Sequence, residues 1–324
     1  MKNQSLIILA LVVAMTSCTK EKNTNAITHS FSFKKDVIYG TANDFSGKPQ
    51  SLLMDVYTPD DQSAHPMILL VHGGAFLYGD KNEATEMCKY FAERGFTAVT
   101  IDYRLGWNFG TNNCDGNMQS LKVAVYKALQ DTHASIRFLA ANAATYKIDT
   151  SKIFVGGISA GSVLALQTAY LDKVDLCKYF PQFETTLGSN NSSGNNLTET
   201  FSIKGVINMW GGVFDLGIMS SKEKIPVISF HGTKDNTVPY NEGTYGSCPN
   251  YLNVYGSKAI YDLLSSRNVA SVLHSAIDGG HSVYDTNYIA SNSYCFMKSV
   301  LEKQTPISSL TNSVSECGDY ITSQ

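Results

Sequence analysis

The chain is poor in charge: 16% of its 324 residues are Asp, Glu, Lys or Arg, and the net charge is −3. No basic stripe is available to neutralise phosphates, so the sequence argues against a nucleic-acid partner. Long apolar runs are missing too. The longest, Leu6 to Met15, has ten residues, whereas a helix that crosses a bilayer needs about 20. None of the seven cysteines stands in a C-x-x-C pair, the spacing of many zinc and dithiol redox sites. No His, Cys or carboxylate cluster has ligand spacing either, and the expectation is no metal and no organic cofactor. A hydrophobic content of 43% excludes a disordered chain.

The N-terminal segment carries its own pattern. Lys2 precedes the apolar run, and small polar residues lead to Cys18, which reads as a secretory signal over residues 1–18. Met15-Thr16-Ser17-Cys18 resembles a bacterial lipoprotein signal, which makes Cys18 a candidate lipidation site and residues 19–30 a polar linker. The expected location is therefore extracytoplasmic (periplasmic, at the cell surface or secreted), with membrane contact only through an N-terminal lipid anchor. In an oxidising compartment Cys88, Cys114, Cys177, Cys248, Cys295 and Cys317 read as disulfide partners, with fifteen full pairings left open. By length alone residues 31–324 could be one large α/β domain or two smaller ones, and the motifs that follow favour one catalytic domain.

One stretch organises that domain. Ile153-Phe154-Val155 runs into Gly157-Ile158-Ser159-Ala160-Gly161, and a small-residue helical pattern follows. This is the strand, sharp turn and helix of a nucleophile elbow. The turn forces the serine into a strained conformation, and glycine two before and two after lets strand and helix pass without Cβ clashes. The N–H of Ala160 then sits at a helix N-terminus, where it can donate to a developing oxyanion. A second motif supplies further donors. The apolar strand Met67 to Val71 ends in His72-Gly73-Gly74-Ala75-Phe76, which resembles the His-Gly-Gly-Gly oxyanion loop of lipases and esterases with Ala75 in place of the last glycine. Gly74 and Ala75 are thus candidate donors with Ala160. His72 reads as a brace for the loop.

A third strand, Phe96 to Ile101, ends in Asp102-Tyr103-Arg104-Leu105. Taken in order, His-Gly-Gly-Ala, Asp-Tyr-Arg-Leu and Gly-Ile-Ser-Ala-Gly resemble the carboxylesterase and hormone-sensitive-lipase-like branch of the α/β-hydrolase superfamily, from about Leu52 to Leu301. Gly106-Trp107 stand where many members have Ala-Pro, and a long N-terminal helical cap is absent, so the nearer likeness is to exported esterases of the acetyl-xylan or feruloyl kind. The resemblance implies the α/β-hydrolase fold: a mostly parallel central sheet with antiparallel N-terminal strands and helices on both faces. Arg104 reads as an ion pair tying the strand end to a neighbouring loop.

The rest of the chain completes the site. The strand Ile225 to Phe230 ends in His231-Gly232-Thr233-Lys234-Asp235, which resembles the acid loop of the family. Asp215, also after a strand, is the alternative acid. The strand Ser271 to Ile277 leads to Asp278-Gly279-Gly280-His281, a histidine on a glycine-flexible loop and the expected base. Ser159, Asp235, His281 is the chain order of an α/β-hydrolase. Helices are expected over 118–142 and 254–267. Residues 172–202 read as a polar insertion and, above the strand ends, as a candidate lid. Phe76, Trp107, Trp210 and Tyr240 fall in strand-end loops and are candidate substrate-binding residues, with Tyr78 beside them. The expected activity is serine carboxylic-ester hydrolysis of short-acyl or aromatic esters, on a small-molecule or polysaccharide-linked substrate. A serine peptidase of the prolyl-oligopeptidase kind and a catalytically silent binding protein are the alternatives.

Overall fold

The structure, a computed structural model, describes residues 28–112, 114–219 and 224–311. The expected signal, Cys18, Cys317 and all but the last three residues of the expected linker lie outside the described residues.

The order of elements is β1 (Phe31–Asn43), β2 (Pro49–Pro59), β3 (His65–Val71), α1 (Thr85–Ala92), β4 (Thr97–Ile101), α2 (Met118–Ala141), β5 (Ile148–Ile158), α3 (Ala160–Tyr170), α4 (Lys173–Tyr179), α5 (Phe183–Leu187), β6 (Ile203–Met209), β7 (Gly212–Val213), β8 (Val227–Gly232), β9 (Glu242–Thr244), β10 (Asn253–Gly256), α6 (Ser257–Ser266), β11 (Ser271–Ala276), α7 (Thr286–Leu301) and β12 (Ile307–Thr311). The main sheet has the order β1-β2-β4-β3-β5-β6-β8-β11-β12. β1, β2 and β4 pair antiparallel, and every pairing from β4 to β12 is parallel. This is the α/β-hydrolase arrangement expected from the sequence.

Parallel central strands must be apolar on both faces, and Met67 to Val71 in β3 are each at most 1% exposed. One face of the sheet is covered by a core that includes Leu121, Ala128, Ile136, Leu164 and Ile260 from α2, α3 and α6. The other packs Met87, Phe91, Ile289 and Phe296 from α1 and α7. Asn117 caps α2 by accepting from the Ser120 N–H at 2.8 Å, and the buried Leu121, Val125, Ala128, Thr132, Ile136 and Leu139 follow the helical spacing seen in the sequence.

Two expectations change. Residues 254–256 are not helical: β10 pairs with β7 and β9 in a three-stranded sheet, and α6 starts only at Ser257. Val254 and Tyr255 suit a strand, and the tertiary pairing overrides the helical pattern. The polar stretch 189–196 is not a loose surface excursion. Asn195 Nδ2 donates to the carbonyls of Tyr39 and Ala134, Arg137 donates to the Ser193 carbonyl, and the Thr41 N–H donates to Gly194 O. These bonds hold it against β1 and the C-terminal half of α2.

His274 in β11 is fully buried, stacked on Phe230 at 4.8 Å, with Nδ1 2.8 Å from the Tyr288 hydroxyl. Burial pushes its imidazole down to about 3, so the folded state binds fewer protons than the unfolded one. The stability that follows is fully present above the unfolded value of about 6.5 and is lost as pH falls toward the folded one. Below about pH 6, urea denaturation should show a stability slope steeper by up to about 1.4 kcal/mol per pH unit than in a His274→Gln variant.

Candidate active site

Ser159 sits at the turn between β5 and α3 with φ 53° and ψ −114°. A Cβ on Gly157 would lie 2.1 Å from the carbonyl carbon of Gly161, and one on Gly161 would lie 2.1 Å from Val71 O. Neither position has room for a side chain, which is why the motif needs glycine at both. The turn is also pinned from the side. The Ser159 N–H donates to Met209 O at 2.9 Å, and the Ser162 hydroxyl accepts from the Met209 N–H at 2.7 Å while donating to Gly157 O.

The structure brings the three candidate catalytic side chains together. Ser159 Oγ lies 2.8 Å from His281 Nε2, and His281 Nδ1 lies 2.7 Å from Asp235 Oδ2. Asp235 Oδ1 accepts from the N–H groups of Thr237 and Val238 at 2.8 and 3.0 Å. Burial alone would raise the Asp235 carboxyl, but hydrogen bonds from His231 and His281 outweigh it and hold the group well below the usual carboxylate range. Asp215 is elsewhere: it accepts from Lys178 Nζ at 2.9 Å, from the Tyr179 hydroxyl and from the Gly217 N–H, which hold its carboxyl at about 2. It clasps α4 to the segment after β7.

The loop after β3 approaches the same point. Gly74, Ala75 and Phe76 have φ of 96°, 54° and 61°, and the last two are strained for residues with a Cβ. Gly74 O accepts from the N–H groups of Leu77 and Tyr78. Among the described residues no main-chain acceptor takes the N–H of Gly74, Ala75 or Ala160, and the last belongs to the unsatisfied first turn of α3. Glu83, which the sequence left without a role, accepts from the Gly73 N–H at 2.6 Å. His72 is buried against Tyr103 with ring centroids 4.2 Å apart, and its Nδ1 is 2.8 Å from Gly73 O. Burial pushes its imidazole down, in keeping with a brace. Arg104 forms a buried two-pronged pair with Asp131, so its partner is on α2 and not on a loop.

The candidate substrate residues divide. Phe76 and Trp107 line a cavity of about 20 Å³ with Ala75, Ala160, Val163, Val238, Phe214 and Tyr245. Trp210 lies beside His281, with the two rings 6.2 Å apart. Tyr240 does not line the cavity: its hydroxyl is 2.6 Å from Ser275 Oγ and its ring packs edge-on to His231. Tyr78 is 68% exposed. Phe214 and Tyr245 went unnoticed in the sequence because no motif marks them. The disulfide Cys114–Cys248 joins the loop after Trp107 to the segment after Tyr245. Cys88 and Cys177 are free thiols, so full pairing does not occur.

Residues 54–225, just over half of the chain, match the BD-FAE family model, and the chain belongs to that family, among the α/β-hydrolase carboxylesterases. Among curated proteins it is 25% identical over 236 residues to "Probable isoprenylcysteine alpha-carbonyl methylesterase ICME" of Oryza sativa subsp. japonica, covering 64% of this chain and 51% of that one. It is 29% identical over 126 residues to "Venom carboxylesterase-6" of Apis mellifera, covering 37% of this chain and 21% of that one. The chain thus spans about half the length, or less, of these relatives. Two solved structures share the fold. One is the truncated form of a carbohydrate esterase from gut microbiota, with TM-score 0.58 and 20% identity over 85% of this chain and 98% of that one. The other is the esterase Est2 of Thermogutta terrifontis with propionate bound, with TM-score 0.54 and 18% identity over 86% and 94%.

Gly161→Ala should cost about 3 kcal/mol, because Val71 O belongs to a central strand and cannot yield. A urea midpoint within error of the unsubstituted protein would contradict this account of the elbow.

Proposed function

We propose that the protein is a serine carboxylic-ester hydrolase that works through an acyl-enzyme and prefers short acyl groups. The observation that carries this reading is the unbroken hydrogen-bonded chain Ser159–His281–Asp235 beside three backbone N–H donors from two loops. His281 Nε2 takes the Ser159 proton as Oγ attacks the ester carbonyl. Asp235 keeps the other proton on Nδ1 and stabilises the imidazolium. The N–H groups of Gly74, Ala75 and Ala160 receive the oxyanion of the tetrahedral intermediate. His281 then protonates the leaving alcohol, and water, deprotonated by the same imidazole, releases the acid.

The acyl group enters the cavity bounded by Ala75 and Ala160. At about 20 Å³ it holds little more than one water-sized group, so an acetyl methyl fits and longer chains must displace Phe76, Trp107 or Tyr245. The alcohol half faces the open cleft of about 600 Å³ lined by Phe109, Asn236, Thr237, Tyr245, Ser247 and Tyr251. Its mixture of aromatic faces and amide or hydroxyl groups suits a sugar-linked ester. The apolar leader of the sequence and the Cys114–Cys248 disulfide support an extracytoplasmic location.

With p-nitrophenyl esters, kcat/KM should fall by about 10²-fold from acetate to octanoate, and Ser159→Ala should lower kcat by at least about 10³-fold. An equally active alanine variant would refute the mechanism. Inactivity of the unsubstituted folded protein toward all esters, with turnover of a prolyl-peptide amide, would move the assignment to a peptidase.

A further inference from the structure

Asp235 touches two imidazoles. Besides His281 Nδ1 at 2.7 Å, its Oδ2 lies 3.0 Å from Nε2 of His231, a fully buried residue near the end of β8. His231 Nε2 is also 3.0 Å from Val238 O. Facing two acceptors, this nitrogen must carry a hydrogen. The opposite nitrogen, Nδ1, is 2.7 Å from Ser257 Oγ at the start of α6.

The direction of that last bond follows from groups further in. The backbone N–H of Gly211 donates to Asn208 Oδ1 at 2.9 Å, which fixes the orientation of a fully buried amide. Asn208 Nδ2 must then donate, and it lies 3.0 Å from Ser257 Oγ and 3.1 Å from Ser229 Oγ. With an N–H already pointing at its oxygen, the Ser257 hydroxyl is free to donate to His231 Nδ1. The result is a one-way series of donors: Gly211 N–H to Asn208, Asn208 to Ser257, Ser257 to His231, and His231 to Asp235. Each member comes from a different part of the framework (the turn after β6, β6 itself, α6 and β8), so the tautomer of His231 is set by the packing of the sheet.

We propose that His231 is a positioning residue for the reaction: its Nε2–H holds Asp235 Oδ2 in place and shares the negative charge that His281 would otherwise face alone. The titratable and charged groups around the pair are His281 on the loop after β11, Tyr240 with its ring 5.8 Å from that of His231, and Tyr245, whose ionisation is opposed first by burial and last by the Asp235 charge. Of these only His281 can carry a positive charge, and it already occupies its own side of Asp235 Oδ2. Without His231 the carboxylate carries more charge at Oδ2. It then attracts the protonated form of His281 more strongly and is freer to rotate away from Nδ1.

The kinetic consequence rests on the esterase reading, and the titration consequence does not. In the full chain, His231→Phe should lower kcat on p-nitrophenyl acetate roughly tenfold with KM nearly unchanged, and should move the acid limb of the pH–rate profile to higher pH. His231→Gln, whose amide N–H can reach Oδ2, should restore most of the rate. Ser257→Ala, which leaves the imidazole in place but removes the donor that fixes its tautomer, should give a smaller loss in the same direction. Independently of turnover, NMR titration of the His281 ring should give a midpoint higher by a few tenths to about one pH unit in His231→Phe. The proposal is overturned if folded His231→Phe keeps both the kcat and the His281 midpoint of the unsubstituted protein. It is equally overturned if its rate loss merely tracks a loss of folded fraction, or if Ser257→Ala leaves rate and midpoint unmoved. Should the unsubstituted protein be no faster than Ser159→Ala, the esterase reading fails, and the His281 midpoint alone decides the role of His231.

Discussion

The backbone at Ser159 is the constraint on which the site depends. A serine at φ 53° is costly by about 1 kcal/mol or more, and the conformation persists because the surroundings permit no other. β5 runs between β3 and β6 in register, Val71 opposite Gly157 and Ile158 opposite Met209, and α3 must leave immediately across Val71 O. Sheet centre, helix start and the Ser159 hydroxyl are thus one geometric object. Three further loops leave the parallel strands at the same end, after β3, β8 and β11, and the last of them brings His281 to Ser159 Oγ.

A chain with few charges has placed several of them inside. Lys81, 4% exposed, pairs with Asp36 and Asp55, while Arg104 pairs with Asp131 under the loop that carries Trp107. Removing one partner of a fully buried pair such as Arg104–Asp131 costs about 3–5 kcal/mol because the other is stranded. Lys81 ties the segment after the His72–Phe76 loop to the antiparallel strands β1 and β2, and Arg104 ties the end of β4 to α2. The antiparallel half of the sheet therefore acts as a buttress for the loop that supplies Gly74 and Ala75. Glu83 extends the same support directly to Gly73.

Local chemistry was readable in the sequence; side-chain convergence was not. The elbow, the His-Gly-Gly-Ala loop and the order Ser159, Asp235, His281 are short patterns in which backbone freedom and residue type declare themselves. The apolar runs 67–71 and 153–155 mark strands because a doubly covered strand has no polar position to spare. By contrast, Phe214 and Tyr245 line the small cavity through contacts between segments far apart in the chain, and Tyr240 faces Ser275 because of how the loop after β8 turns. Val254 and Tyr255 looked helical until the partners of β10 were known. The Asn- and Ser-rich stretch 189–196 looked solvated, yet its short amides fit the backbone carbonyls of α2 and β1. Composition alone cannot announce such a fit.

The disulfide between Cys114 and Cys248 closes a covalent ring across 134 residues of sequence. The ring contains Ser159 and Asp235 and leaves out His281. In a chain that emerges from its N-terminus, both cysteines, and with them Ser159 and Asp235, are made before His281. On unfolding, the intact cross-link withholds about 4–5 kcal/mol of loop entropy from the denatured chain. Even when the sheet is lost, the segments that carry Trp107 and Tyr245 stay joined through the neighbouring cysteines.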